Sequence, residues 1–363
     1  MKKDRREVSF NRGVPATKSL PKKKVGEVAE SLLDQYGEAL LQYGDSKGFK
    51  PLREELVDWY EDVTSDEILV GNGSLQILDI IANLYIDRGD LVIVESPSYD
   101  RAITIFRRAG AEVHGVKLEK DGPNLEELEH LFETHRPEVF YTIPDFQNPT
   151  GVCVSGAKRR EVARLAEEYG VLVVEDSPYR RLRYSGEPEP TLREFNPDGI
   201  LQMSSFSKLI GPGVRVGWVV GSEEVINKLS GYAEDTYITP GLLSQGVVFR
   251  LIEDGWLEEN IETLISLYEP RLETTLDSLE KYFPESDWIR ARGGFFVGLW
   301  LPEGTNVEQF YERANDDGLI LSSPEGFFPD RGGEGFVRLP FPALSPDRIE
   351  EGVKRLGEVW RSL

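Results

Sequence analysis

Five short segments hold side chains that could do chemistry together. They are Gly71-Asn72-Gly73-Ser74, Asn148-Pro149-Thr150-Gly151, Glu175-Asp176-Ser177-Pro178-Tyr179, Ser204-Ser205-Phe206-Ser207-Lys208, and Arg215, seven residues beyond that lysine. Singly, each is ambiguous. A glycine pair before a helix lets the backbone approach an anion at the helix N-terminus, but it also makes an ordinary turn. The third glycine of a dinucleotide-binding fingerprint is missing from Gly71-Asn72-Gly73-Ser74-Leu75-Gln76. Asn-Pro-Thr-Gly reads equally well as a turn between strand and helix. A carboxylate such as Asp176 at the tip of an apolar strand is costly unless paired, which makes it a site candidate. Hydroxyls beside Lys208 and ahead of Gly211-Pro212-Gly213 could be loop chemistry alone.

The elements that must position these residues follow from periodicity. From about Ile68 short apolar runs alternate with amphipathic segments: Ile68–Val70 leads into Leu75–Tyr85, Leu91–Val94 into Asp100–Arg108, and Val139–Ile143 into Ser155–Tyr169, followed by Val171–Glu175. Val162, Leu165, Ala166 and Tyr169 make one helical stripe. Continuous β-branched runs separated by helices predict a mostly parallel sheet covered on both faces. Ile200–Met203 and Val214–Val220 are joined by too few residues for a helical crossover and should be antiparallel. After Gly255 the pattern changes: Trp256–Tyr282 predicts a long helix interrupted or kinked near Pro270. Strands are expected at Trp288–Arg292, Phe295–Leu301, Leu319–Leu321 and Phe336–Leu339, with a helix at Val307–Asp316. A last helix opens with Ser345 as N-cap and Pro346 at its first position, burying Ile349, Val353, Leu356 and Trp360. The expected fold is α/β, a large mixed-sheet α/β/α domain at 44–251 followed by a smaller α+β domain at 252–363. There is no internal repeat or low-complexity stretch.

Strand ends on one edge of an α/β sheet are where ligands bind. Gathered there would be a lysine, an acid, hydroxyls, an asparagine, a tyrosine and an arginine. A lysine nucleophile needs an electrophilic carbonyl, and an acid facing a pyridine nitrogen suits pyridoxal 5′-phosphate (PLP).

With these residues in place, nearly the whole chain, from Phe10-Asn11-Arg12-Gly13-Val14-Pro15 to the final helix, resembles the fold-type-I, class I/II aminotransferases. It is most similar to the branch of 2-aminoadipate and aromatic aminotransferases and the catalytic domains of MocR-type regulators. Glu175–Tyr179 and Ser205–Trp218 are the most specific signatures. The resemblance implies the PLP-dependent transferase fold of aspartate aminotransferase. It implies that Lys208 holds PLP covalently and carries the proton between Cα and C4′, and that Asp176 pairs with the pyridine nitrogen. Asn148 and Tyr179 would bind the ring 3′-oxygen, and Tyr99 would stack on the ring. Ser205, Ser207, Arg215, Ser74 and neighbouring backbone N–H groups, Leu75 among them, would hold the phosphate. Leu75 also stands where this branch often has a polar residue, so one side-chain contact should be missing there. Arg338 would clamp the substrate α-carboxylate, with Asn148 and Gly13 also on the substrate side. Tyr43 would reach the phosphate of a neighbouring subunit, which implies a homodimer with shared active sites and an arm, residues 1–43, contributing to the small domain and the interface. The extended turn Pro324-Glu325-Gly326 and the prolines flanking Phe341 depart from the usual pattern and bear on substrate side-chain preference.

The implied reaction is transamination from an amino acid to a 2-oxo acid, 2-oxoglutarate being the expected acceptor. A C–S lyase of the same fold would share the cofactor residues. A ligand-sensing regulator would need a DNA-binding module, which the dozen residues before Gly13 are too short to form. Composition narrows the field further. The 363 residues suggest two domains, and 39% apolar with 10% aromatic content is that of a globular protein. A net charge of −22 opposes nucleic-acid binding and fits either a high-salt cytoplasm or an ordinary acidic enzyme. Lys22-Lys23-Lys24 reads as a solvated face. No run is long enough to cross a bilayer, the charged N-terminus lacks an apolar signal region, and the single cysteine, Cys153, can form no internal disulfide. A cytoplasmic protein without a metal site is expected, since three histidines and one cysteine make zinc improbable.

Overall fold

Among the described residues thirteen strands form where aliphatic and β-branched runs are bounded by caps or turns. They are β1 (Val8–Phe10), β2 (Ile68–Gly71), β3 (Leu91–Ser96), β4 (Glu112–Glu119), β5 (Gly122–Pro123), β6 (Val139–Thr142), β7 (Leu172–Asp176), β8 (Ile200–Ser205), β9 (Gly217–Val220), β10 (Asp287–Trp288), β11 (Phe296–Trp300), β12 (Leu319–Leu321) and β13 (Phe336–Pro340). The computed structural model describes residues 7–330 and 332–363; the charged segment at positions 1–6 lies outside them.

Eight strands make one sheet in the order β2-β9-β8-β7-β6-β3-β4-β5. The central pairs β4/β3, β3/β6, β6/β7 and β7/β8 are parallel, and β9 runs antiparallel to both β8 and β2. The antiparallel pairing of β8 and β9 is the one expected from their short connection. Successive side chains point to opposite faces. Val92, Val94, Tyr141, Val174, Leu201 and Met203 therefore pack beneath the helices Ser74–Tyr85, Asp100–Ala109 and Glu223–Tyr237. Ile93, Phe140, Val173 and Ile200 face the helices Leu125–His135 and Gly156–Tyr169 on the other side. Ser155 caps the second of these, its hydroxyl accepting from the Lys158 N–H, and Val162, Leu165 and Ala166 are buried as their spacing predicts.

A third core forms around the helices Trp256–Tyr282 and Pro346–Arg361, the antiparallel sheet β10-β11-β13, and the parallel pair β1/β12. That last pairing folds the N-terminal strand onto the C-terminal part of the chain. Residues 11–16 are thereby led back to the sheet edge, where the Ala16 N–H donates to the Tyr268 hydroxyl at 3.2 Å.

The helix Trp256–Tyr282 is continuous through Pro270, with Ile261, Leu264, Tyr268, Leu272 and Leu279 anchoring both halves in the core. Two expectations need correction. The strand expected at Val214–Val220 starts only at Gly217, since 212–214 is a 3-10 turn and Arg215 takes a left-handed φ of 51°. The strand expected at Trp288–Arg292 shrinks to Asp287–Trp288. Ser345 sits at the N-cap of the last helix as expected, without a side-chain cap hydrogen bond.

Candidate active site

The C-terminal tips of β7 and β8 converge at Lys208. Its ammonium donates to the Gly13 carbonyl at 3.2 Å and lies 5.7 Å from the Tyr179 ring centre and 5.4 Å from that of Phe295. Burial in this aromatic niche lowers the Lys208 pKa to about 8. Asp176 opposes that shift, while Arg338 and Arg215 add to it. Gly13 has no room for a side chain: a Cβ would stand 2.2 Å from Phe296.

Asp176 ends β7 fully enclosed. One carboxylate oxygen accepts from the Tyr141 hydroxyl at 2.7 Å, and the other is buried with no partner among the described residues. Burial raises its pKa to about 6, against the Tyr141 hydrogen bond and the Lys208 charge. A buried carboxylate oxygen aimed at nothing is a docking point for an N–H donor.

A second cluster lies around the Ser74–Tyr85 helix N-terminus. Gly73, with φ 95°, caps the helix, and a Cβ there would come within 2.4 Å of the Arg215 guanidinium. Arg215 is exposed and donates to the Asn72 and Pro212 carbonyls at 3.1 and 3.4 Å. The Ser205 hydroxyl bonds Ser207 at 2.9 Å and accepts from the Ser207 N–H at 3.1 Å. Free N–H groups, hydroxyls and an arginine fork at a helix N-terminus form a phosphate cradle. Leu75 turns its side chain to the core, so only its backbone is available to a ligand.

On the opposite side stands Arg338 of β13. It donates to Asn148 Oδ1 at 3.1 Å and to the Asn11 carbonyl at 2.7 Å, while its Nε is buried without a partner. Phe296 and Phe327 flank the guanidinium at 5.1 and 4.5 Å. Tyr99 is half-buried, with its pKa raised to about 12, first by burial. Tyr179 is buried, packed against Phe295 and Phe296. The structure thus brings together Lys208, Asp176, Tyr179, Arg338, Asn148 and Gly13, with Tyr99 close enough to sense Asp176 and Arg338. Tyr43 is not part of this cluster. It lies 73% exposed on the surface.

Several supporting residues escape the motifs. Tyr141 sits inside an apolar strand, where a buried phenol needs a hydrogen-bond partner, and that need was the available signal. Glu95, at the end of β3, accepts from the Thr142 hydroxyl at 2.6 Å, the Gln147 amide at 3.1 Å and the Ile143 N–H at 3.2 Å. Gln147 donates also to the Pro97 carbonyl at 2.8 Å and accepts from Thr150. This buried knot ties the Tyr99 loop to the Asn148 loop.

Residues 7–356 match the family described as aminotransferase class I and II. The chain belongs to that family. It is 33% identical to aromatic-amino-acid aminotransferase 1 of Thermococcus litoralis, over 97% of this chain and 87% of that protein. Its fold matches the kynurenine aminotransferase of Pyrococcus horikoshii, solved with PMP, at a TM-score of 0.94 and 34% identity, covering 98% and 91% of the two chains. It matches the α-aminoadipate aminotransferase LysN of Thermus thermophilus, complexed with N-(5′-phosphopyridoxyl)-L-leucine, at 0.92 and 34%, covering 98% and 92%. The protein is a PLP-dependent aminotransferase of the aspartate aminotransferase-like fold. The unpartnered Asp176 oxygen, Lys208 and the cradle at Gly73–Ser74 suit the cofactor's pyridine nitrogen, aldehyde and phosphate.

Proposed function

We propose that the enzyme moves the amino group of an L-amino acid to 2-oxoglutarate in two half-reactions, and that Arg338 is the group that receives the α-carboxylate of both substrates. The observation that carries this reading is the guanidinium itself: it is desolvated, flanked by Phe296 and Phe327, and its Nε has no partner. A planar fork in that state grips a carboxylate with two charge-assisted bonds.

PLP supplies an aldehyde that captures the amino group and a ring that takes up the electrons left at Cα. The remaining work falls to the chain. Lys208 would move the proton at Cα, and the burial that lowers its pKa favours the uncharged amine this needs. Asp176 would keep the ring nitrogen protonated through its unpartnered oxygen. Asn148 and Tyr179 would bind the ring oxygen, Tyr99 would cover the ring, and Ser74, the Leu75 N–H, Ser205, Ser207 and Arg215 would hold the phosphate. Gly13 leaves space for the substrate.

We place the N-terminal arm, 1–43 in the sequence and described from residue 7, with the C-terminal domain, 252–363, against the large domain, 44–251. Its exposed Tyr43, together with Leu41, Ile238 and Leu243, supports a homodimer in which Tyr43 reaches the partner's phosphate site. The single cysteine fits a reducing cytoplasm. Among the described residues no helix is long and apolar enough to cross a membrane, and no group of acids, histidines and cysteine could hold a metal.

The test is glutamate formation from 2-oxoglutarate with a panel of aromatic, branched-chain and acidic amino acids as donors. Formation of glutamate with at least one donor, matched mole for mole by the donor's 2-oxo acid, is the expected result. Pyruvate and ammonia from a β-substituted donor, without glutamate, would overturn the proposal.

A further inference from the structure

The turn Pro324-Glu325-Gly326 opens a loop that lies between β12 and β13 in the chain yet rests on the eight-stranded sheet. The Phe327 carbonyl accepts from the Ser98 N–H at 2.7 Å. The Pro329 carbonyl accepts from the Arg107 guanidinium, and Asp330 Oδ2 accepts from the Gly115 N–H of β4 at 2.9 Å. Gly115 leaves the space that Pro329 fills, since a Cβ there would stand 2.9 Å from the proline ring. Three polar anchors and one packed proline therefore hold this loop to the edge that carries Tyr99.

The Phe327 side chain serves the other sheet. It is 3% exposed, and its ring centre lies 6.2 Å from that of Phe336 and 4.5 Å from the Arg338 guanidinium carbon. A cation at an aromatic ring is attracted by the ring's quadrupole, more strongly where both are desolvated. Phe296 also meets this guanidinium, but it belongs to β11, the strand paired with β13, and so shares a sheet with Arg338. Phe327 instead reaches Arg338 from a backbone tied to Ser98, the residue before Tyr99.

The reaction needs such a tie. Lys208 and Tyr99 follow β8 and β3 of the eight-stranded sheet, whereas Arg338 stands on β13 of the three-stranded one. A substrate held by its carboxylate at one sheet and its nitrogen at the other spans both. A misplacement of about 1 Å between reacting groups can cost on the order of 100-fold in rate.

We propose that Phe327 is a positioning residue: its carbonyl is fixed to the Tyr99 loop and its ring to the Arg338 guanidinium, so that it sets where the carboxylate clamp stands relative to Lys208. This rests on the reading of Arg338 as the clamp.

The test uses the PLP-loaded enzyme and two oxyamines, aminooxyacetate and methoxyamine. Both attack the cofactor with the same nucleophile, and only the first carries a carboxylate. The ratio of their rates of bleaching the cofactor absorbance reports how well the protein holds that carboxylate. Phe327→Leu should slow aminooxyacetate about fivefold and leave methoxyamine as it was. Arg107→Ala combined with Asp330→Ala, two exposed residues away from the site, releases the loop from two anchors and should lower the ratio in the same direction. All variants are checked for PLP content and unfolding temperature. Arg338→Lys tests the clamp itself: a parent ratio there would sink the clamp reading and this one with it. A ratio lowered in Arg338→Lys but not in Phe327→Leu would keep the clamp and overturn the role of Phe327. An equal slowing of both oxyamines in Phe327→Leu would make the ring a structural filler and overturn it too. So would a parent ratio in the double variant, which would mean that the loop's seat on the sheet does not govern the site.

Discussion

Replacing Asp176 with asparagine removes one charge from the site and almost no volume. The Tyr141 hydroxyl, which donates to Asp176 at 2.7 Å, can donate equally to an asparagine oxygen. The geometry should survive while the charge proposed to face the cofactor nitrogen is lost. Burial raises the Asp176 pKa from 3.8 to about 6. At about 1.4 kcal/mol per pKa unit, ionising this carboxylate in the folded site costs about 3 kcal/mol. If Asp176 is to stand ionised against a protonated ring nitrogen, that pairing must return at least as much, so its loss should raise the chemical barrier by about 3 kcal/mol. The half-reaction with an amino acid, followed by stopped-flow absorbance, should slow by about 100-fold, with PLP content near normal. A second effect follows from the same charge. Asp176 holds the Lys208 pKa up against burial, so in the PLP-free Asp176→Asn protein the pH dependence of Lys208 labelling should shift below about 8. Turnover within threefold of the parent enzyme would show that the acid does not face the ring nitrogen, and a Lys208 titration that does not move would show that its charge does not act on the lysine.

Two further outcomes are expected. Arg338→Lys should raise the half-saturation of amino acid and 2-oxoglutarate together, by roughly 10- to 100-fold for the loss of one hydrogen bond between charged groups; steady-state kinetics with each substrate varied would expose a selective effect, which would mean that the arginine reads a side chain instead. Glu95 is an enclosed acid whose pKa burial raises to about 7 from 4.5, so the folded state binds its proton more tightly than the unfolded one, and stability on this account is present below about pH 4.5 and lost as pH rises to about 7. Glu95→Gln should therefore gain about 3 kcal/mol relative to the parent between pH 4.5 and 8 in denaturant melts, and a difference between the two proteins that stays flat with pH would mean that Glu95 is not desolvated.

The convergence of the motif residues on one sheet edge was legible in the sequence for a physical reason. In a parallel sheet the strands end on one edge, so motifs that follow separate apolar runs must meet there. Asp176, Ser205 and Lys208 each follow such a run, and the structure gathers them as that rule requires. The supporting layer was not legible, because its members satisfy one another and not a ligand. Glu95, Gln147 and Thr150 carry no spacing signature, and their pairing depends on two loops from different strands meeting in space. The same limit hid the helix Lys22–Leu41. Only Val28, Leu32 and Leu40 of its twenty residues are buried, too sparse a stripe to read as a period. Arg215 departs from its local pattern: its neighbours read as strand, yet it takes a left-handed backbone, and its guanidinium lies at Gly73 and the Asn72 carbonyl. Asp176 adds the converse point: only the fold leaves one of its carboxylate oxygens enclosed without a partner among the described residues. Sequence patterns therefore report the residues that secondary structure delivers to an edge, and unsatisfied groups in the folded chain report those that await a ligand from outside it.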